Sequence, residues 1–244
     1  MKGNRLRSFE QLKANVGTPF VLITQVNINE FELKSHPFHP IVRYTLQHKK
    51  GLSGVHMSDY FRIYFSYHYG GAYHDIKSRS KAQSIANCWK LFNDSNVWVV
   101  GMAELHGVVA AGDKEVMSYI LHHEAYHPNL RRLKNGKWHD TNLDENNLIS
   151  NCAWVARPKT DLFKKVNSFA EKRLDDLQKT IKINPVSNFK RCCIYGENFG
   201  YPVAWTAILG NIFHPYQAVY QSHINRSMPW FTRTKHTDKS ENTG

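Results

Sequence analysis

The stretch over residues 57–69 constrains the fold most. Tyr60, Phe61, Tyr64, Phe65 and His68 recur at helical spacing, and Ser58 stands where an N-cap would. Gly70-Gly71 then ends the helix, since glycine takes the left-handed conformation that closes many helices. Residues 72–76 follow as a short strand. A helix this rich in rings must bury most of its surface, so it demands a sheet or further helices around it.

The remaining pattern supplies them. A first helix is expected over 6–14, and buried strands over 20–24 (FVLIT), 96–102 (NVWVVGM) and 151–156 (NCAWVA). Between 160 and 181, Leu162, Val166, Phe169, Leu174, Leu177 and Ile181 form an apolar stripe. Lys164, Lys165, Lys172, Asp175 and Lys179 lie opposite, which describes a long amphipathic helix. Pro202 opens a further expected helix over 203–209, closed by Gly210. Strands alternating with helices predict an α/β fold: one domain over 1–231, with a mainly parallel central sheet flanked by helices. The polar residues 232–244 are expected to be a flexible tail.

Composition limits the partners. Lys and Arg number 32 against 20 Asp and Glu, a formal charge of +12 that favours anionic partners. A nucleic-acid-binding role is disfavoured, because the basic residues are scattered and the aromatics sit at core spacing. Peripheral contact with an anionic membrane is compatible with the charge. The four cysteines, Cys88, Cys152, Cys192 and Cys193, form no C-x-x-C pair and are expected to be reduced thiols. No run of about 18 apolar residues suggests a membrane span. The start, MKGNRLRSFEQLK, lacks the apolar core of a signal peptide, so a cytoplasmic location at or near the inner face of a membrane is expected.

Chemistry concentrates in SDYFR followed by GGAYHDIK. Asp59 and Arg62 are three apart on the expected helix and share a face, about 5–6 Å apart. Asp75 falls at the carboxyl end of the next strand, where open α/β sheets bind ligands. Two carboxylates and a guanidinium would converge there. A carboxylate accepts hydrogen bonds from sugar hydroxyls, and a guanidinium grips phosphate or orients the acid. The alternative is a surface ion pair and a turn aspartate.

These residues resemble the signature of the DXD-containing glycosyltransferases with a sugar-binding region, a group that includes capsular polysaccharide synthesis and alpha-mannosyltransferase-like enzymes. The family pattern is S-D-x-x-R, then G-G-x-Y-x-D-x-D, and the match covers residues 58–77. Weaker likeness runs through LITQVNINEF, HPFHP, SNCAWVARP and YPVAWTAILGNIFHP. The resemblance implies a GT-A-type enzyme that moves a sugar from a nucleotide donor to a glycan acceptor, mostly with retention of configuration. It implies Asp59 and Asp75 as catalytic carboxylates, with Asp59, Arg62, Tyr73, Asp75 and Lys77 around the donor. It also implies a divalent metal, Mn2+ in most relatives. Lys77 stands where the family has its second aspartate, and an ammonium cannot ligate a cation. The family's first strand would lie before about Asn4. A catalytically degenerate nucleotide-sugar or glycan-binding protein is the alternative.

Further candidates are Glu197 and Asn198 in GENFG, with Trp205, as acceptor or cleft residues. His214 and His223 fall where transferases of this fold supply a late metal or phosphate contact, so the resemblance implies them as metal contacts with Asp75; ordinary turn or surface histidines are the alternative. Tyr73 and Trp205 each have packing as the alternative. The cluster His122-His123-Glu124-Ala125-Tyr126-His127 lacks metal-site spacing. Alanine at Asp59, Arg62 or Asp75 is expected to cut turnover while leaving folding intact, if all three face a crevice.

Overall fold

The computed structural model describes residues 4–75, 84–103, 148–186 and 200–229. Lys77, the His122–His127 cluster, Cys192, Cys193, Glu197, Asn198 and the tail 232–244 lie outside the described residues.

Helix α1 (Asn4–Asn15) turns Phe9 and Leu12 inward, and Val16 follows on the same face. Helix α2 (Pro40–His48) opens on Pro40 and is capped by His39, whose Nδ1 accepts from Ile41 N–H at 3.2 Å. Helix α3 (Gly54–His68) starts earlier than the pattern suggested. Its cap is Ser53, whose Oγ accepts from His56 N–H at 3.2 Å, and Ser58 is a full turn inside. Gly70 does close the helix, donating to Phe65 O at φ +67°, and a Cβ there would sit 2.8 Å from Ala156 O.

The chain continues as strand β1 (Gly71–His74), then β2 (Val99–Ala103) and β3 (Ile149–Ala156). Helix α4 (Asp161–Ile183), capped by Thr160, carries the amphipathic stripe as expected. Helix α5 (Gly210–Val219) and the short strand β4 (Ile224–Asn225) complete the described fold.

The fold is mixed α/β, but its sheet is not mainly parallel. The order is β1-β3-β2-β4; β3 runs antiparallel to both neighbours and only β2–β4 is parallel. The reason lies in β3. Strands β1, β2 and β4 point the same way, as the alternating pattern implied, but β3 inserts between β1 and β2 in reverse. Strand–helix alternation alone cannot detect such an insertion.

Alternation of side chains along the strands divides the core. Val99, Trp154 and Ala156 face α3, α4 and α5, while Val100, Ala153 and Val155 face α1 and the 3-10 helix Ala86–Asn93. A third cluster joins α2, α3 and α4 through Ile41, Tyr60, Tyr64 and Leu174.

Two expected elements do not form. Residues 20–24 are irregular because Asn27 occupies their backbone: its Oδ1 accepts from Thr24 N–H (2.7 Å) and its Nδ2 donates to Leu22 O (3.0 Å). The helix over 203–209 is replaced by turns, and Gly210 begins α5 rather than ending its predecessor. There, side chains take the carbonyls a helix would use. His56 Nε2 meets Ala204 O and Trp205 O, and Arg173 donates to Ala207 O.

Candidate functional site

Four expected residues come together where α3 passes the end of β1. Asp59 and Arg62, one turn apart, form a 3.3 Å ion pair, and the same Nη2 lies 3.4 Å from Asp75 Oδ1. Tyr73 and Asp75 are two apart on extended backbone and so face the same side. The Tyr73 hydroxyl donates to Asp75 Oδ1 at 2.6 Å, and the Arg62 guanidinium lies 4.4 Å over the Tyr73 ring. Asp75 N–H donates to Cys152 O at 2.8 Å, which extends the β1–β3 ladder by one residue and fixes that backbone.

Burial distinguishes the members. Asp59 and Arg62 are buried in the protein, whereas the Asp75 side chain keeps 24% of its surface in solvent. Arg62 is also engaged on every nitrogen: Nη1 donates to Asn151 O (2.5 Å), Nη2 to Ser58 Oγ (3.2 Å) and Nε to Ser58 O (3.4 Å). It therefore orients Asp75 and has no free edge with which to grip a phosphate. This corrects the expectation that all three groups face a crevice. Of the four described residues, Asp75 is the carboxylate best placed to meet a ligand.

Electrostatics follow from that burial. Desolvation pushes the Asp59 carboxyl up to about 6, with the Asp75 charge adding to the effect and Arg62 opposing it. Burial works against the Arg62 charge, but Tyr73, Asp59 and Asp75 more than offset it, so the guanidinium stays firmly protonated. Burial likewise raises the Tyr73 phenol, which keeps it a donor to Asp75.

Tyr73 does pack, tilted against Trp154 at 5.4 Å between ring centroids, while also holding Asp75. Trp205 is neither in a helix nor in the core; half its surface is exposed on a turn. That turn is tied to α3 by His56, three residues before Asp59. His56 is a residue the sequence reading missed. Its Nδ1 lies 2.8 Å from Tyr201 Oη and 3.0 Å from Ser53 Oγ, while Nε2 lies 3.0 Å from Ala204 O. The carbonyl fixes the proton on Nε2, and burial lowers the imidazole to about 4. Its place three before Asp59 was a usable signal. The partner Tyr201, 145 residues away, was not.

The late histidines do not join Asp75. His223 stacks flat on Trp98, 3.7 Å between centroids, and its Nδ1 contacts Asn96 O at 2.8 Å. Gly71, Ala156, Val99 and Ile224 share one row across the sheet, so His223 sits at the row's far edge. Asp75 lies four residues further along and three strands across, about 20 Å away by ordinary strand spacings. His214 is buried in α5, with no hydrogen-bond partner for either ring nitrogen among the described residues, and burial lowers it to about 4. Among the described residues no three His, Cys, Asp or Glu side chains gather as a metal-holding group. Asp75 Oδ1 already accepts from Tyr73 and faces Arg62. The described donor set alone therefore does not fit a divalent cation.

No family model, curated protein or solved structure matches this chain. Among the described residues, no helix is long and apolar enough to cross a membrane.

Proposed function

We propose that this protein is a GT-A-type glycosyltransferase that moves a sugar from a nucleotide donor to a glycan acceptor with retention of configuration. The observation that carries the reading is the Asp59–Arg62–Asp75 cluster, completed by Tyr73, which presents a single oriented carboxylate at the carboxyl end of β1. In this reading Asp75 accepts hydrogen bonds from hydroxyls of the donor sugar. Arg62 and Tyr73 are positioning residues, and Asp59 holds Arg62 in place.

The bond between the anomeric carbon and the diphosphate breaks as negative charge grows on the leaving group. Cationic groups near it stabilise that charge. Lys77, two residues beyond Asp75, is the sequence's candidate for this role, and the +12 surplus draws in an anionic donor. Attack by the acceptor hydroxyl from the face the diphosphate leaves needs no separate base, since the departing phosphate oxygen can take the proton. Trp205 supplies a half-exposed indole on the turn whose carbonyls meet His56 of α3, a surface on which an acceptor sugar ring can stack. Glu197 and Asn198, a few residues earlier in the chain, are the sequence's other acceptor candidates.

One observation favours the alternative, a binding protein of the same fold without turnover: among the described residues, the carboxylate that shares Arg62 with Asp75 is the buried Asp59. A panel of nucleotide sugars, assayed for transfer and for thermal shift with and without manganese, separates the two. Transfer or hydrolysis of any donor supports the enzyme. A rise in Tm without turnover supports the binding protein, since a bound ligand stabilises by about 2.7 kcal/mol at a hundredfold excess over Kd.

A further inference from the structure

Residues 20–27 form a loop in which Val21, Leu22 and Val26 are exposed. Val26 is 92% exposed and Val21 65%, with Leu22 beside them. Solvated loops ordinarily carry polar residues at such positions. This loop is also braced. Asn27 ties Thr24 and Leu22 as described, Val26 N–H donates to Thr24 Oγ1 at 3.2 Å, and Ile28 N–H donates to Thr24 O at 2.9 Å. Ile28 is buried beneath it, and Ile23 turns inward onto the cluster that holds Tyr44 and Leu46. Val21 and Val26 are thus held outward by a fixed scaffold.

Cations lie on the elements next to this loop. Arg43 of α2 lines a polar cleft of about 380 Å³ together with Gln25 of the loop, and its side chain is half-exposed. The Lys182 ammonium lies 5.5 Å over Tyr44, the ring that packs in the same cluster as Ile23. Lys49 and Lys50 are exposed at the end of α2, and Gly51 beside them is bonded to Val186 just beyond α4. Two acids lie on this side as well: Glu32 accepts from Phe38 N–H at 2.7 Å and stands 3.9 Å from Arg43 Nε in the same cleft, and Glu30 is exposed in the short 3-10 helix Ile28–Phe31 that follows the loop.

We propose that the 20–27 loop, together with Arg43 beside it and Lys49, Lys50 and Lys182 on the neighbouring elements, docks this protein onto an anionic lipid bilayer. Aliphatic side chains enter the interface between headgroups and acyl chains, and each nearby Lys or Arg adds attraction to a negative leaflet. A bilayer fits better than nucleic acid, which calls for exposed aromatics on which bases stack. It also fits better than a peptide groove, because the aliphatics stand proud of the surface. The chain's +12 charge points the same way.

The test is co-sedimentation of the full chain with vesicles of equal parts phosphatidylcholine and phosphatidylserine, against phosphatidylcholine alone. Binding to the mixed vesicles, weakening with added salt, is expected. The double variant Val21→Asp, Val26→Asp should bind about a hundredfold more weakly, roughly tenfold for each buried valine lost. Both positions are exposed, so the variant folds, and circular dichroism checks this. Failure of the wild type to sediment with the mixed vesicles overturns the proposal, as does undiminished binding by the double variant. A concentration-dependent dimer that the same variant dissolves also overturns it, by placing a second copy on the loop. None of these outcomes depends on whether a nucleotide sugar is turned over.

Discussion

The hydroxyl of Tyr73 on β1 donates a 2.6 Å hydrogen bond to Asp75, the residue just beyond the strand, at Oδ1, the oxygen that also faces Arg62. The Asp75 carboxylate is thereby held in one direction by the protein through Oδ1. The phenol ring is fixed in turn by Trp154 below and the guanidinium above. The carboxylate's direction is set before any ligand arrives, a preorganisation that costs nothing further on binding.

Replacing Tyr73 by Phe keeps the ring against Trp154 and removes only the hydroxyl. Turnover is expected to fall at least about tenfold, with a loss of stability of about 1–2 kcal/mol, the scale for one buried hydrogen bond to a charge. Kinetics together with urea unfolding check both. Unchanged kinetics would show that Tyr73 has no positioning role.

Arg62→Ala should damage the fold as well as the site. It leaves Asp59 buried beside Asp75 without a counter-charge and strips Asn151 O of its donor, a change on the order of 3–5 kcal/mol. Asp75→Ala removes a partly exposed group but takes the acceptor from the Tyr73 hydroxyl, so its loss should be about 1–2 kcal/mol, smaller than that of Arg62→Ala. Denaturant midpoints of the two variants, measured side by side, would show this contrast; equal losses would contradict the burial assigned here.

The acid behaviour has two opposing parts. Asp59 is raised from 3.8 to about 6, so the folded protein holds an extra proton between those values, and stability from this group falls as pH rises through the window. The difference is on the order of 3 kcal/mol and should vanish in Asp59→Asn. His56 and His214 are lowered from 6.5 to about 4, so their contribution is complete above pH 6.5 and is lost as pH falls toward 4. Unfolding curves from pH 4 to 7 for wild type, Asp59→Asn and His56→Gln should diverge in these opposite directions. Parallel curves would refute the assignments.

His214 offers a sharper case. Both ring nitrogens lack hydrogen-bond partners among the described residues, so His214→Phe exchanges an unsatisfied polar group for an apolar ring. Stability should rise by about 1–2 kcal/mol if the larger ring is accommodated, and activity should persist. Lost activity in a folded variant would restore the metal or phosphate role that its late position suggested.

The features legible in the sequence were the local ones. Asp59 with Arg62, and Tyr73 with Asp75, are fixed by helix and strand periods, so their faces followed directly from spacing. The apolar stripe of α4 and the glycine stop at Gly70 were legible for the same reason. What sequence could not supply were partners far along the chain. Asn151 O lies 89 residues from Arg62, and Tyr201 lies 145 from His56. The first removes Arg62 from ligand binding; the second rewrites 203–209 as turns. Val21 and Leu22 read as a buried strand because the pattern registers hydrophobicity, while the Asn27 side chain that prevents the strand is a single polar residue. The reversed β3 was hidden because strand direction leaves no periodic mark.

The central claim is that Asp75 is the group that meets the donor, and comparing wild type with Asp75→Ala tests it most directly. Both proteins are first matched by circular dichroism and melting temperature, then assayed for transfer from the most stabilising nucleotide sugar. A loss of roughly two orders of magnitude in the variant, with its fold intact, is the predicted result. Wild-type turnover by a well-folded Asp75→Ala protein would contradict it.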